Sequence, residues 1–255
     1  MKLDLSTVLV QWATGGLLFC WVTTRRREVG LGYGWLLRSI FVVLTVGGVV
    51  AGRVTGDGAG AVVRDLGGIA MAVTAAIALA VAVTRRSSGL TAFPPALDLV
   101  PPVLGLVGLV GAAAAAGGPY PLSLVRLVVG ALFLGAVTDA MLLGHWYLVQ
   151  PGLDRAPIRQ LVLLVAVIWP FEVAVLLWPV GMGQVLDGTV DDGWDGLLGW
   201  TWAVSALTAI GLVAFTWLAL RERSYSAVMA ATGLLYLAIL MAFGTDVIAR
   251  AVLAP

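Results

Sequence analysis

The sequence predicts an all-α fold: a polytopic transmembrane helical bundle of about eight spans with short loops. Three observations carry that expectation. The 255 residues are 60% hydrophobic and only 11% charged, with a mean hydropathy of +1.01. A soluble domain is about 25% charged and 45–50% apolar, so lipid must cover an apolar excess this large. The basic residues alternate. Arg25, Arg26 and Arg27 follow the first apolar run, Arg85 and Arg86 the third, Arg155 and Arg159 the fifth, Arg221 and Arg223 the seventh. The loops between carry only Arg53 and Arg64, and the longest, 181–196, has four aspartates and no base. That is the positive-inside pattern of a multi-span membrane protein. Aromatic placement gives the same frame. Trp21, Tyr33, Trp35, Trp146, Tyr147, Trp217 and Tyr225 gather at the arginine side, and Tyr120, Trp178, Trp194, Trp200 and Trp202 at the other. Such rings prefer the headgroup zone, half dry and half wet.

A span needs about 20 apolar residues at 1.5 Å rise to cross about 30 Å of hydrocarbon. Spans are expected near 5–23, 33–52, 66–84, 97–117, 122–149, 157–180, 197–220 and 225–252, as a single integral membrane domain, 1–255. Eight spans put both termini on one side, extracytoplasmic if the arginine loops are cytoplasmic. Composition rich in Ala, Val, Leu, Gly and Arg, with one Lys, points to a GC-rich bacterium, hence its cytoplasmic (inner) membrane.

The first span follows Met1-Lys2, lacks a small-residue cleavage site and ends in three arginines, so it reads as retained rather than as a cleaved signal. Cys20, the only cysteine, excludes an intrachain disulfide and reads as a small buried hydrophobe. Ala and Gly dominate the third and fourth spans. The fourth carries Gly105, Gly108, Gly111 and Ala112 to Ala116, a small-xxx-small surface for close helix packing, so this helix is central or seats a partner subunit. Odd spans end alike, in Val22-Thr-Thr-Arg, Val83-Thr-Arg and Leu220-Arg-Glu-Arg; duplication and shared charge selection explain this equally well.

The fifth span holds Asp139, about ten residues from its inner end, or ~15 Å deep, which is the midplane. A carboxyl there is protonated or paired. It is either a proton-relay or ion-coordinating group, or an interhelical hydrogen bond. His145, the only histidine, lies in Gly144-His145-Trp146-Tyr147 near the inner boundary. A quinone or proton-transfer role competes there with an aromatic-belt role. One histidine excludes bis-His haem ligation within this chain, and nothing specifies a His/Met pair. The sixth span holds Glu172 beside Trp169 and Pro170, ~8–12 Å from the outer boundary. Arg126 has similar depth, and an Arg126–Glu172 bridge is the structural alternative to a cavity wall. Asp246 and Arg250, i and i+4 in the eighth span, read as a helix-end ion pair.

The loop 181–196 contains Asp191-Asp192-Gly-Trp-Asp195, a DDxxD string. Such strings bind magnesium and diphosphate in prenyl-transferring enzymes, but the second acidic motif that chemistry needs is absent. An acidic solvated loop is the plainer reading, so no metal site is expected, with Asp191, Asp192 and Asp195 as its weak candidates.

Net charge is +1 and no basic stripe interleaves with aromatics, which argues against a nucleic-acid partner. Ser-His and Ser-Lys pairs, HExxH and GxxxxGK[ST] are absent, so an autonomous enzyme is disfavoured. Three functions remain. The leading one is a non-catalytic membrane subunit of a larger energy-converting or redox complex, with quinone as candidate cofactor and partners inside the bilayer. The second is a small proton-coupled transporter or permease using Asp139, Glu172 and His145. The third is a lipid- or isoprenoid-modifying enzyme using the aspartate loop.

Overall fold

A computed structural model describes residues 4–88, 93–178 and 181–253. Among the described residues it is all helical: α1 Leu5–Thr24, α2 Leu31–Thr55, α3 Gly58–Ser87, α4 Pro95–Ala115, α5 Tyr120–Trp146, α6 Ala156–Leu177, α7 Met182–Leu186, α8 Leu197–Ala219 and α9 Tyr225–Val252. Eight of these are long and apolar enough to cross a membrane, and α7 is a single turn in the α6–α8 connection. The chain is thus a multi-span membrane protein whose apolar helices suit contact with a bilayer.

Successive spans run up and down, so the turns after α1, α3, α5 and α8 share one end, called here the arginine-rich end. The chain's described termini share the other, where Arg250 of α9 meets Gln11 of α1. Helices α1 and α5 form the centre, with 67% and 72% of their apolar windows buried. Around them α3 packs on α4, α8 on α9, and α6 and α9 on α5.

Glycine sets these approaches, because apolar helices in lipid associate through close van der Waals contact. A Cβ at Gly67 would land on the backbone of Gly108, and one at Gly135 on that of Gly15. The α3–α4 and α1–α5 pairs therefore meet backbone to backbone. Helix α4 also packs on α1 and α5, so its small face serves the interior of this bundle.

The ends follow local chemistry. Asp4 accepts the amides of Ser6 and Thr7 at 3.2 and 3.3 Å and caps α1. Pro101 and Pro102 in α4 and Pro170 in α6 sit inside continuous helix.

Several boundaries differ from the expected ones. Helix α3 starts at Gly58 rather than near 66 and absorbs Arg64, and α2 runs on to Thr55 and absorbs Arg53. Arg64 can enter a helix because Asp4 and Asp65 neutralise it. Helix α5 stops at Trp146, where Tyr147 becomes its C-cap, instead of running to 149. Expected positions 179 and 180 of the sixth span, like Met1 and Lys2, lie outside the described residues.

Candidate functional site

The buried charges gather in two layers, one near each end of the bundle. At the arginine-rich end, Arg38 lies seven residues into α2, about 10 Å along the helix. Its Nε and Nη2 donate to the two oxygens of Asp98 at 2.7 and 2.6 Å, and both residues are buried. This two-point geometry suits a guanidinium facing a carboxylate. Asp98 sits in the first turn of α4, where the helix dipole favours an anion. Thr24 at the end of α1 donates to the same carboxylate at 3.0 Å. The Phe93 ring lies 4.2 Å below the guanidinium. One ion pair thus ties α1, α2 and α4 together.

Asp139 belongs to this layer. Its Oδ2 accepts from Thr23, in the last turn of α1, at 3.4 Å. Its backbone carbonyl accepts from Tyr33, in the first turn of α2, at 3.1 Å. Because α5 ends at Trp146, Asp139 is only about 10 Å from the helix end. The side chain is fully buried, and its Oδ1 has no hydrogen-bond partner among the described residues.

At the opposite end, Asp246 and Arg250 form the i, i+4 pair, with Nε to Oδ2 at 2.7 Å. Gln11 of α1 completes it: its carbonyl accepts from Arg250 and its amide donates to Asp246 at 3.4 Å. Beside it Arg64 joins Asp4 and Asp65, while the exposed Arg53 stands 3.9 Å from Asp65. Glu172 is buried within electrostatic reach of Asp246, Arg250 and Arg126.

The expected Arg126–Glu172 hydrogen-bonded bridge does not form. Arg126 turns toward the end of α6 and donates to the carbonyls of Val175 and Trp178 at 2.8 and 3.0 Å. Those carbonyls lie in the last turn of α6, where helix bonds run out. Neither Glu172 oxygen has a hydrogen-bond partner among the described residues.

Asp139, His145 and Glu172 do not share a cavity. His145 is exposed on the outer surface of α5. Trp146 points inward, with its indole N–H on Gln150 at 3.1 Å and its ring 5.9 Å from that of Tyr33. Tyr147 is buried and donates to the carbonyl of Asp154. Burial and the Asp154 carboxylate hold its phenol above the ordinary range, so it stays a neutral donor. Three consecutive residues on a helix end diverge by about 100° each, which separates them.

The aspartate string shapes its own loop. Desolvation raises Asp192, but backbone N–H groups of Trp194, Gly196, Gly199 and Leu198 outweigh it and hold the carboxyl below its ordinary value. Two of these amides open α8, so Asp192 closes that helix N-terminus. Asp191 accepts from Gly193 at 2.8 Å. Among the described residues no three His, Cys, Asp or Glu side chains approach closely enough to hold a metal ion. Asp191, Asp192 and Asp195 are not gathered into such a group.

Between the layers the interior is closed by Val10, Ala13, Leu17, Ala131 and Leu134. The two deep tryptophans are satisfied there, Trp12 on Thr138 at 2.8 Å and Trp169 on the carbonyl of Ala206 at 2.9 Å. Cys20 is buried and free. Sequence reasoning missed Arg38, Asp98, Gln11 and the Asp4–Arg64–Asp65 group. Arg38 and Asp98 lay inside expected spans, where a charge demands a partner; that signal was present.

No family model matches the chain, and no curated protein or solved structure is significantly similar to it.

Proposed function

We propose that the chain is a non-catalytic membrane subunit of a larger energy-converting or redox complex, embedded by its eight spans with the arginine-rich end in the cytoplasm. One observation carries this reading: Asp139, the carboxylate best placed for proton transfer, is sealed between α1, α2 and α5. Arg38–Asp98 and Gln11–Asp246–Arg250 likewise link separate helices. A group whose donors and acceptors face its neighbours stabilises a scaffold. The connections are short, so docking surfaces must come from the helices themselves.

Affinity purification from native membranes in mild detergent tests this. The expected result is a stoichiometric complex with other membrane chains, identified by mass spectrometry. Recovery of this chain alone, with no partner or chromophore, overturns it.

Proton-coupled transport is the second reading, and Glu172 favours it. Its two oxygens lack hydrogen-bond partners among the described residues, and two arginines and an aspartate stand nearby. Such a carboxylate is free to exchange a proton during a cycle. Flux in reconstituted vesicles that Glu172→Gln abolishes supports this reading over the first.

A further inference from the structure

A cavity of about 430 Å³ opens at the arginine-rich end, between the α1–α2 turn and the start of α2. Three arginines line it, Arg27, Arg38 and Arg86, against one acid, Glu28. Arg38 is 1% exposed. Asp98 takes its Nε and Nη2, and Nη1 has no hydrogen-bond partner among the described residues. Gly34, also on the cavity wall, stands beside that nitrogen: a Cβ there would lie 2.7 Å from Nη1. Glycine at this position lets the buried guanidinium pack this close to the α2 backbone.

Two further features add positive potential. Helix α2 begins at the cavity, and its N-cap, Gly30, gives no side-chain cap. The first-turn amides of a helix carry the positive end of its dipole and attract anions. Arg86 is held at the rim over the Trp35 ring, 4.8 Å from its centroid. With Arg38 balanced by Asp98, Arg27 and Arg86 exceed Glu28 by one charge.

The cavity at the other end differs. It measures about 420 Å³ and is lined by Arg64 and Arg250, but carboxylates already hold both, and Asp57 adds another acid. Arg64 Nη2 there also lacks a hydrogen-bond partner among the described residues, but it stands 3.0 Å from an Asp65 oxygen and the cavity's two arginines are matched by Asp4 and Asp57.

We propose that this cavity binds a phosphate-type oxyanion, with Arg38 Nη1 as the buried donor and Arg27 and Arg86 as rim cations. A tetrahedral oxyanion accepts from several directions at once, as donors from the α1–α2 turn, α2 and α3 require. The same chemistry comes from a phospholipid headgroup or from free phosphate. The inference is independent of the subunit reading.

The test uses the whole chain in neutral detergent, free of phosphate buffer. One arm equilibrates it with vesicles of phosphatidylglycerol and phosphatidylcholine and reads retained lipid by native mass spectrometry. The other titrates inorganic phosphate and follows thermal unfolding. Saturable retention of one phosphatidylglycerol per chain identifies the lipid source, and a saturable rise in unfolding temperature the soluble one. Arg27→Gln with Arg86→Gln leaves the Arg38–Asp98 pair intact and should weaken whichever binding is seen by roughly fivefold per arginine. Each change made singly gives the same reading if the pair fails to fold. No saturable binding of either probe, or affinity unchanged in folded variants, overturns the proposal.

Discussion

Arg38 holds both oxygens of Asp98, at 2.7 and 2.6 Å, across sixty residues of sequence. Removing one partner leaves the other charged and buried, which costs ~3–5 kcal/mol. Arg38→Ala should therefore unfold far more easily in detergent than the parent chain. Arg38→Met combined with Asp98→Leu should recover most of that loss, because apolar replacement of a buried pair is often neutral. A double variant no more stable than Arg38→Ala would show that the pair does more than neutralise itself.

Glycine contacts make a sharper packing prediction. Gly67→Ala forces a methyl onto the Gly108 backbone and should cost ~1–3 kcal/mol, since backbone cannot swing aside. Gly211 and Gly233 have nothing within 4 Å of an added Cβ. Alanine at either should be neutral, or stabilising by up to about 1 kcal/mol through helix propensity. Unfolding temperatures of the three variants decide this. Equal effects would mean that α3 and α4 are not in backbone contact.

The helices were legible because lipid imposes one rule on every span, whereas their direction across the membrane rests on the alternating arginines alone. The polar interior was legible only in part. Asp246 and Arg250 share a helix face, so spacing alone paired them. Arg38 and Asp98 are brought together by tertiary packing, which no local pattern encodes. Asp139 stands nearer its helix end than the expected span implied, because α5 ends three residues early. Asp192 read as solvated charge because amides that bind it lie up to seven residues downstream.

Asp192 predicts a pH response. Its folded carboxyl lies below the ordinary 3.8, so the stability it lends is present above that value and is lost as pH falls through the lower, folded one. Hydrogen exchange at Leu198 and Gly199, corrected for intrinsic rate, should quicken in that acid window. Asp192→Asn should exchange quickly at all pH values. A variant as protected as the parent would remove Asp192 as the cap of α8.

The proposed orientation is checked with single cysteines, because Cys20 is buried and silent toward bulky reagents. Thr189→Cys, in the aspartate loop, should react with an impermeant maleimide in intact cells. Arg223→Cys, between α8 and α9, should react only after lysis. The reverse pattern would invert the bundle.

In the proposed function the buried carboxylates clamp helices and carry no proton across the bilayer. Proteoliposomes of the purified chain under an imposed pH gradient measure this directly. The expected gradient decays no faster than in empty vesicles, and Asp139→Asn leaves that rate unchanged. Rapid decay that Asp139→Asn abolishes would contradict the claim.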